Sequence, residues 1–326
     1  NKLTINKEAI KEYLNTQYIP TPLSIYNECF KLPPASYIEI DLSRYEFREV
    51  ESFSEFKKQK GINFNKWWSL KYNKEISQNI NYNQVKNKTK KLIEKAVKKQ
   101  LLSDVPLGAF LSSGVDSSLI VALMQKINGN TKTFTIGYEN SNLNEATEAK
   151  LISSHLSTNH HELIFKSSDL LDIVDEMPKV YTEPFADSSQ IPTFMVSKLA
   201  SMNVKVALSG DGGDEIFGGY NRYILANKYW YFYKLLPKIV KNFSVKFTKL
   251  FPQKLLRFLL QKYTSNPSKF LEKIDNINNE ADYFYSMINE WQNINDIINF
   301  EVFENNKKKE FENYDVNTFE KRMMMS

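Results

Sequence analysis

In Leu107-Gly108-Ala109-Phe110-Leu111-Ser112-Ser113-Gly114-Val115-Asp116-Ser117-Ser118, a short apolar run gives way without a break to a hydroxyl-rich one. The first five residues read as a buried strand, and Ser117 to Ile127 reads as a helix. The same alternation spreads in both directions. Residues 84–100 form an amphipathic pattern with Val85, Leu92, Ile93, Ala96 and Val97 as its apolar positions. Downstream come a strand at Thr133–Gly137, a helix from Asn144 to Leu156 with Asn144 as its cap, and a strand at Glu162–Phe165. Helices near 168–176 and 190–202 and a strand at Val204–Leu208 complete the series. Strands that alternate with helices of this length imply right-handed crossovers and an α/β fold, a mostly parallel sheet flanked by helices. In such sheets ligands collect at the carboxyl ends of the strands.

The flanking stretches differ in texture. Residues 1 to about 75 are mixed, with an alternating run at Ser36–Ile40 and the punctuating pair Pro33-Pro34. Residues from about 221 to 326 are aromatic, rich in Lys and Asn, and helical in pattern. The expected division is therefore an α+β part at 1–75 and an α/β domain at 76–326, the latter ending in helices.

Composition limits the function classes. The chain has 326 residues, 42% hydrophobic and 25% charged, as an ordinary globular protein does. Its formal charge of +5 is slight for this length, and the lysines between Lys86 and Lys99 fall on helical spacing. They read as a solvated helix face, so no nucleic-acid partner is expected. No apolar run is long enough to span a bilayer, and a cytoplasmic location is expected. The single cysteine, Cys29, cannot form an internal disulfide and reads as a packed residue next to an apolar run. His160 and His161 have no further ligands at metal-site spacing and read as a surface pair at a strand entry.

Two loops leave the carboxyl ends of the strands. In Ser112–Ser118, four hydroxyls, Gly114 and the first amides of a helix converge. Free amides and the helix dipole favour an anion there. Asp116 makes sense in such company if it holds a divalent cation that bridges it to phosphates. An N-cap turn would use similar residues. The run is neither a GxxxxGK[ST] loop nor a GxGxxG turn. The second loop, Ser209-Gly210-Asp211-Gly212-Gly213-Asp214-Glu215, continues to Gly218-Gly219-Tyr220 and holds five of the chain's ten glycines. Carboxylates crowded in this way repel unless a metal or a cationic substrate group neutralises them.

Together these residues resemble a known family. Ser112–Ser118 is similar to the SGGxDSS pyrophosphate loop of the ATP-pyrophosphatases. With Ser209–Glu215, Gly218-Gly219-Tyr220, Glu183-Pro184-Phe185-Ala186-Asp187 and Ile191-Pro192-Thr193, it resembles the synthetase domain of glutamine-hydrolysing asparagine synthetase. Tyr18-Ile19-Pro20-Thr21-Pro22 and Lys31-Leu32-Pro33-Pro34-Ala35 resemble the end of that family's N-terminal, Ntn-type glutaminase domain.

The resemblance implies an adenine-nucleotide alpha-hydrolase-like fold, with ATP and Mg²⁺ as cofactors. ATP would contact Leu111, Ser112, Ser113, Gly114, Asp116, Ser117, Ser118, Ile136, Ser209 and Gly210. Asp116 and Asp214 would hold Mg²⁺, and Asp211 would be the catalytic acid group that assists formation of an acyl-adenylate. Aspartate would be activated as β-aspartyl-AMP, and ammonia from glutamine would displace AMP. Alternatives are amidation of a sugar carboxylate in surface-polysaccharide synthesis and a non-catalytic ATP-binding module. A homodimer is left open.

Two departures from the pattern stand out. Ser113 replaces the usual glycine of the pyrophosphate loop. The family's glutaminase nucleophile is a cysteine at the mature N-terminus, but none stands near Asn1 and Cys29 does not match it. The expectation is a chain cut at both ends, without glutaminase activity and without the family's later motifs, including a lysine that assists adenylation.

Overall fold

The computed structural model describes residues 3–71, 81–139, 144–221 and 277–289, with isolated positions between 223 and 324. The chain packs as two compact units. One comprises Asn1–Tyr72, Glu183–Ala186 and Tyr220–Ser326, the other Asn73–Thr182 and Asp187–Gly219.

The second unit carries the α/β fold. Its helices and strands alternate as α3 (Tyr82–Gln100), β3 (Leu107–Phe110), α4 (Val115–Asn128), β4 (Lys132–Tyr138), α5 (Ala146–Leu156) and β5 (Asn159–Phe165). Then follow α6 (Ser167–Val174), α7 (Met177–Val180), α8 (Gln190–Ser201), β6 (Val206–Leu208) and α9 (Gly213–Phe217). The four strands form one sheet in the order β5-β4-β3-β6, and every pairing is parallel. The chain thus winds outward from β3 to β5 and then returns past β3 to lay down β6. The order in which strands are added reverses between β3 and β6, and such switch points are where ligands bind in open α/β sheets.

Each face of the sheet is covered. Val97 of α3, Val121, Leu123 and Met124 of α4 and Ala149 of α5 pack with Ala109 and Leu111. On the other face Phe134 packs with Ala200, Val204 and Phe110. Phe134 is wholly buried, and burial of one such ring contributes roughly 1.5–3 kcal/mol.

Several boundaries moved. In α3, Val85 and Leu92 are exposed, and so is Ala96; the inward stripe is Ile93 and Val97. The N-cap of α5 is Glu145 rather than Asn144, although Asn144 Oδ1 does accept the Ala146 N–H. β5 begins at Asn159, which draws both histidines into the strand. His160 and His161 are therefore not a surface pair. The His160 side chain is only 10% exposed, and the His161 ring stacks on Phe134 with centroids 5.2 Å apart.

The first unit holds α1 (Lys7–Thr16), β1 (Ser36–Ile40), α2 (Phe53–Phe56), β2 (Ile62–Lys66) and α10 (Glu280–Ile288). Asn6 caps α1, its Oδ1 accepting the Ala9 N–H. β1 and β2 pair antiparallel, with Ile38 opposite Phe64, and Phe53 meets Phe64 edge-on at 5.6 Å. A separate aromatic core joins Tyr223, Trp230, Phe284 and Phe311. Lys31 pairs with Glu183, which ties two of the separated motifs together. Cys29 is exposed rather than packed. Most of the helical pattern expected at 221–326 lies outside the described residues. Among those described, no helix is long and apolar enough to cross a membrane.

Candidate functional site

The strand order brings the two chemically unusual loops together. Ser112–Ser118 leaves the carboxyl end of β3, and Ser209–Glu215 leaves that of β6, its neighbour in the sheet. Their backbones nearly touch. A Cβ added to Gly210 would lie 2.6 Å from the Ser117 nitrogen, and one added to Gly213 would lie 2.5 Å from Asp116 Oδ2. At Gly210 the neighbour is backbone, so glycine is a condition of the contact; at Gly213 it is the Asp116 carboxylate, which an added side chain would displace. Gly212 between them adopts a φ of +87°, the left-handed region that favours glycine.

The first loop is ordered by its own hydroxyls. Ser112 N donates to Ser117 Oγ at 3.1 Å, the two hydroxyls meet at 2.8 Å, and Gly114 N donates to Ser112 Oγ at 3.1 Å. Ser118 Oγ donates to the Gly114 carbonyl at 2.7 Å. Gly114 is the N-cap of α4 and has no side chain to cap it. The opening amides of a fourteen-residue helix thus lack the usual capping acceptor and keep their affinity for an anion. Ser113, where the resemblance leads one to expect a glycine, is exposed and donates its amide to Glu145 Oε2 at 3.2 Å.

The acids at this site have different neighbours. Ser209 Oγ donates to Asp211 Oδ2 at 2.9 Å, which fixes an otherwise exposed carboxylate. The Asp116 carboxylate lies against Gly213, and the Asp214 carboxylate lies beside Gly219, whose amide donates to the Asp214 carbonyl at 2.9 Å. Among the described residues, no group of three or more His, Cys, Asp or Glu is arranged to hold a metal. Mg²⁺ usually takes one or two carboxylates and completes its shell with substrate phosphates and water, so a group of three is not a condition for it.

The other expected contacts are mixed in character. Leu111 is buried; its N–H donates to the Phe134 carbonyl at 2.9 Å and its carbonyl accepts Thr135 Oγ1 at 2.6 Å. Ile136 is half-buried in β4, opposite Leu163. Sequence reasoning missed Glu145, since an acid at a helix start looks like a complement to the helix dipole. It also missed the specific need for Gly210 and Gly213, which depends on a contact between residues some ninety positions apart.

The asparagine synthase family profile matches residues 88–323. This chain belongs to the asparagine synthase family. Among its relatives in that family, the asparagine synthetase [glutamine-hydrolyzing] 1 of Bacillus subtilis is 31% identical over 233 residues, 68% of this chain and 32% of that protein. A Methanocaldococcus jannaschii protein, provisionally named asparagine synthetase [glutamine-hydrolyzing] 2, is 38% identical over 245 residues, 74% of this chain and 43% of that protein. The chain thus spans less than half the length of these relatives. An NH3-dependent NAD synthetase from Campylobacter jejuni covers 69% of this chain at a TM-score of 0.29 and 16% identity, too distant a likeness to argue from.

Proposed function

We propose that this chain performs the ATP-dependent half of an amide synthesis, with L-aspartate as the acid that is activated. The observation that carries this reading is the packing of Gly210 and Gly213 against Ser117 and Asp116, which gives one site both amide donors and carboxylates. The pyrophosphate would lie against Ser112, Ser113, Gly114, Ser117 and Ser118, with the adenine near Leu111 and Ile136. The Leu111 N–H is already spent on β4, so contact there would use the carbonyl or side chain. Ser209 and Gly210 would stand by the ribose and α-phosphate.

A carboxylate oxygen of the acceptor attacks the α-phosphorus, and the bond to the bridging oxygen breaks as pyrophosphate leaves. Ammonia then attacks the acyl carbon, loses a proton, and AMP departs. Asp211, held by Ser209, would be the acid group that assists formation of the acyl-adenylate. Asp116 and Asp214 would hold Mg²⁺, which when bound neutralises charge on the departing pyrophosphate. Most of the acceleration would come from positioning and charge stabilisation.

The test is ATP–pyrophosphate exchange and AMP release with ATP, Mg²⁺, ammonium and a panel of carboxylates. Aspartate-dependent AMP is expected, and Asp116→Ala is expected to abolish exchange. Undiminished exchange in that variant would remove the metal assignment. AMP with a sugar acid but not aspartate would change the acceptor, and binding of ATP with no AMP for any acid would leave a binding module.

A further inference from the structure

Three amides line the turn of the first loop, and they are not satisfied alike. Those of Ser112 and Gly114 are bonded to hydroxyls of the loop itself, whereas that of Ser113 is bonded to a carboxylate from another element. The residue that carries the accepting carboxylate, Glu145, immediately precedes α5, in the connection that follows β4, the strand beside β3. Glu145 occupies the N-cap position of α5 yet makes no capping bond; that service falls to Asn144. Its charge is spent across the loop instead. Both ends of the contact are exposed, so it can open without disturbing the core.

We propose that Glu145 competes with pyrophosphate for the Ser113 amide: it holds that donor before nucleotide binds, yields it to phosphate oxygens, and retakes it as pyrophosphate leaves. A carboxylate and a phosphate are both anionic oxygen acceptors, and the two cannot share one N–H without repulsion at close range. The competition rests on the nucleotide reading of the Ser112–Ser118 loop. It makes Glu145 a positioning residue for that loop and a determinant of product release.

The experiment is titration calorimetry of the full chain with inorganic pyrophosphate, with and without Mg²⁺. Glu145→Gln removes the charge, and Glu145→Asp keeps the charge but shortens its reach. Both are expected to bind pyrophosphate more tightly, by about three- to tenfold for Glu145→Gln. The same variants should show a lower KM for ATP and stronger inhibition by pyrophosphate. Unchanged or weaker binding in Glu145→Gln, against clear binding by the wild type, would overturn the competition and leave the nucleotide site standing. Binding by neither wild type nor variants would overturn the nucleotide reading and the competition with it.

Discussion

The Asp116 carboxylate lies against a backbone position where any other residue would carry a methylene or methyl group. Gly213→Ala should therefore push the carboxylate aside without unfolding the chain, since the loop lies outside the sheet. The expected outcome is a loss of about 10²-fold in kcat/KM for ATP–pyrophosphate exchange, with an unchanged circular dichroism spectrum. The glycines and acids of the second loop could be singled out from composition, and Asp116 from its odd company among anion donors. That Gly213 exists for Asp116 could not, because sequence spacing says nothing about a contact between loops of two different strands. Ser113 shows the converse. It differs from the family pattern in the sequence, and the structure gives its amide an acceptor that no local signal marked.

At the scale of elements, β5 departs most from expectation. Two adjacent histidines beside Glu162 look like the wet end of a strand. Pairing with β4 from Asn159 onward turns His160 inward instead, where Nδ1 meets Thr133 Oγ1 at 3.0 Å and Thr133 meets Thr158 at the same distance. Ser153 of α5 extends this hydroxyl chain, its Oγ 2.8 Å from that of Thr158. Hydroxyls and imidazoles are polar by type, so hydropathy reads them as surface, but together they satisfy much of their own demand for hydrogen bonds. Burial holds the His160 pKa below 6.5; Lys150 and His161 push the same way, and Glu162 opposes them. As pH falls below about 6.5 the unfolded chain takes up this proton before the folded one does. Stability from this group is therefore complete above that pH and is lost as pH falls toward the lower, folded value. The melting temperature should drop between pH 7.5 and 5, and His160→Gln should flatten that slope. The central α/β alternation was easier to read, since β3, α4, β4 and α8 are predominantly apolar runs of strand or helix length.

At the scale of the whole molecule, family and parallel sheet were legible because both rest on long-range order of motifs along the chain. The packing division was less so: residues 183–186 and 220 onward group with the N-terminal part, and chain order gives no hint of that. The proposed half-reaction needs ammonia, and the one cysteine in the chain is an exposed Cys29. Ammonium should therefore support AMP formation by this chain. Cys29→Ser should leave the ammonium-dependent rate unchanged; a rate that falls with the thiol would give Cys29 a part in the reaction. The return of β6 to the side of β3 has a kinetic consequence as well. Gly210 and Ser117 stand roughly ninety residues apart, so their meeting is among the least local contacts within the α/β unit. Closing so long a loop costs chain entropy before any contact rewards it, which makes such pairings late events. Nucleotide affinity should then be the last property to return on refolding from denaturant, after helix content and after burial of Phe134.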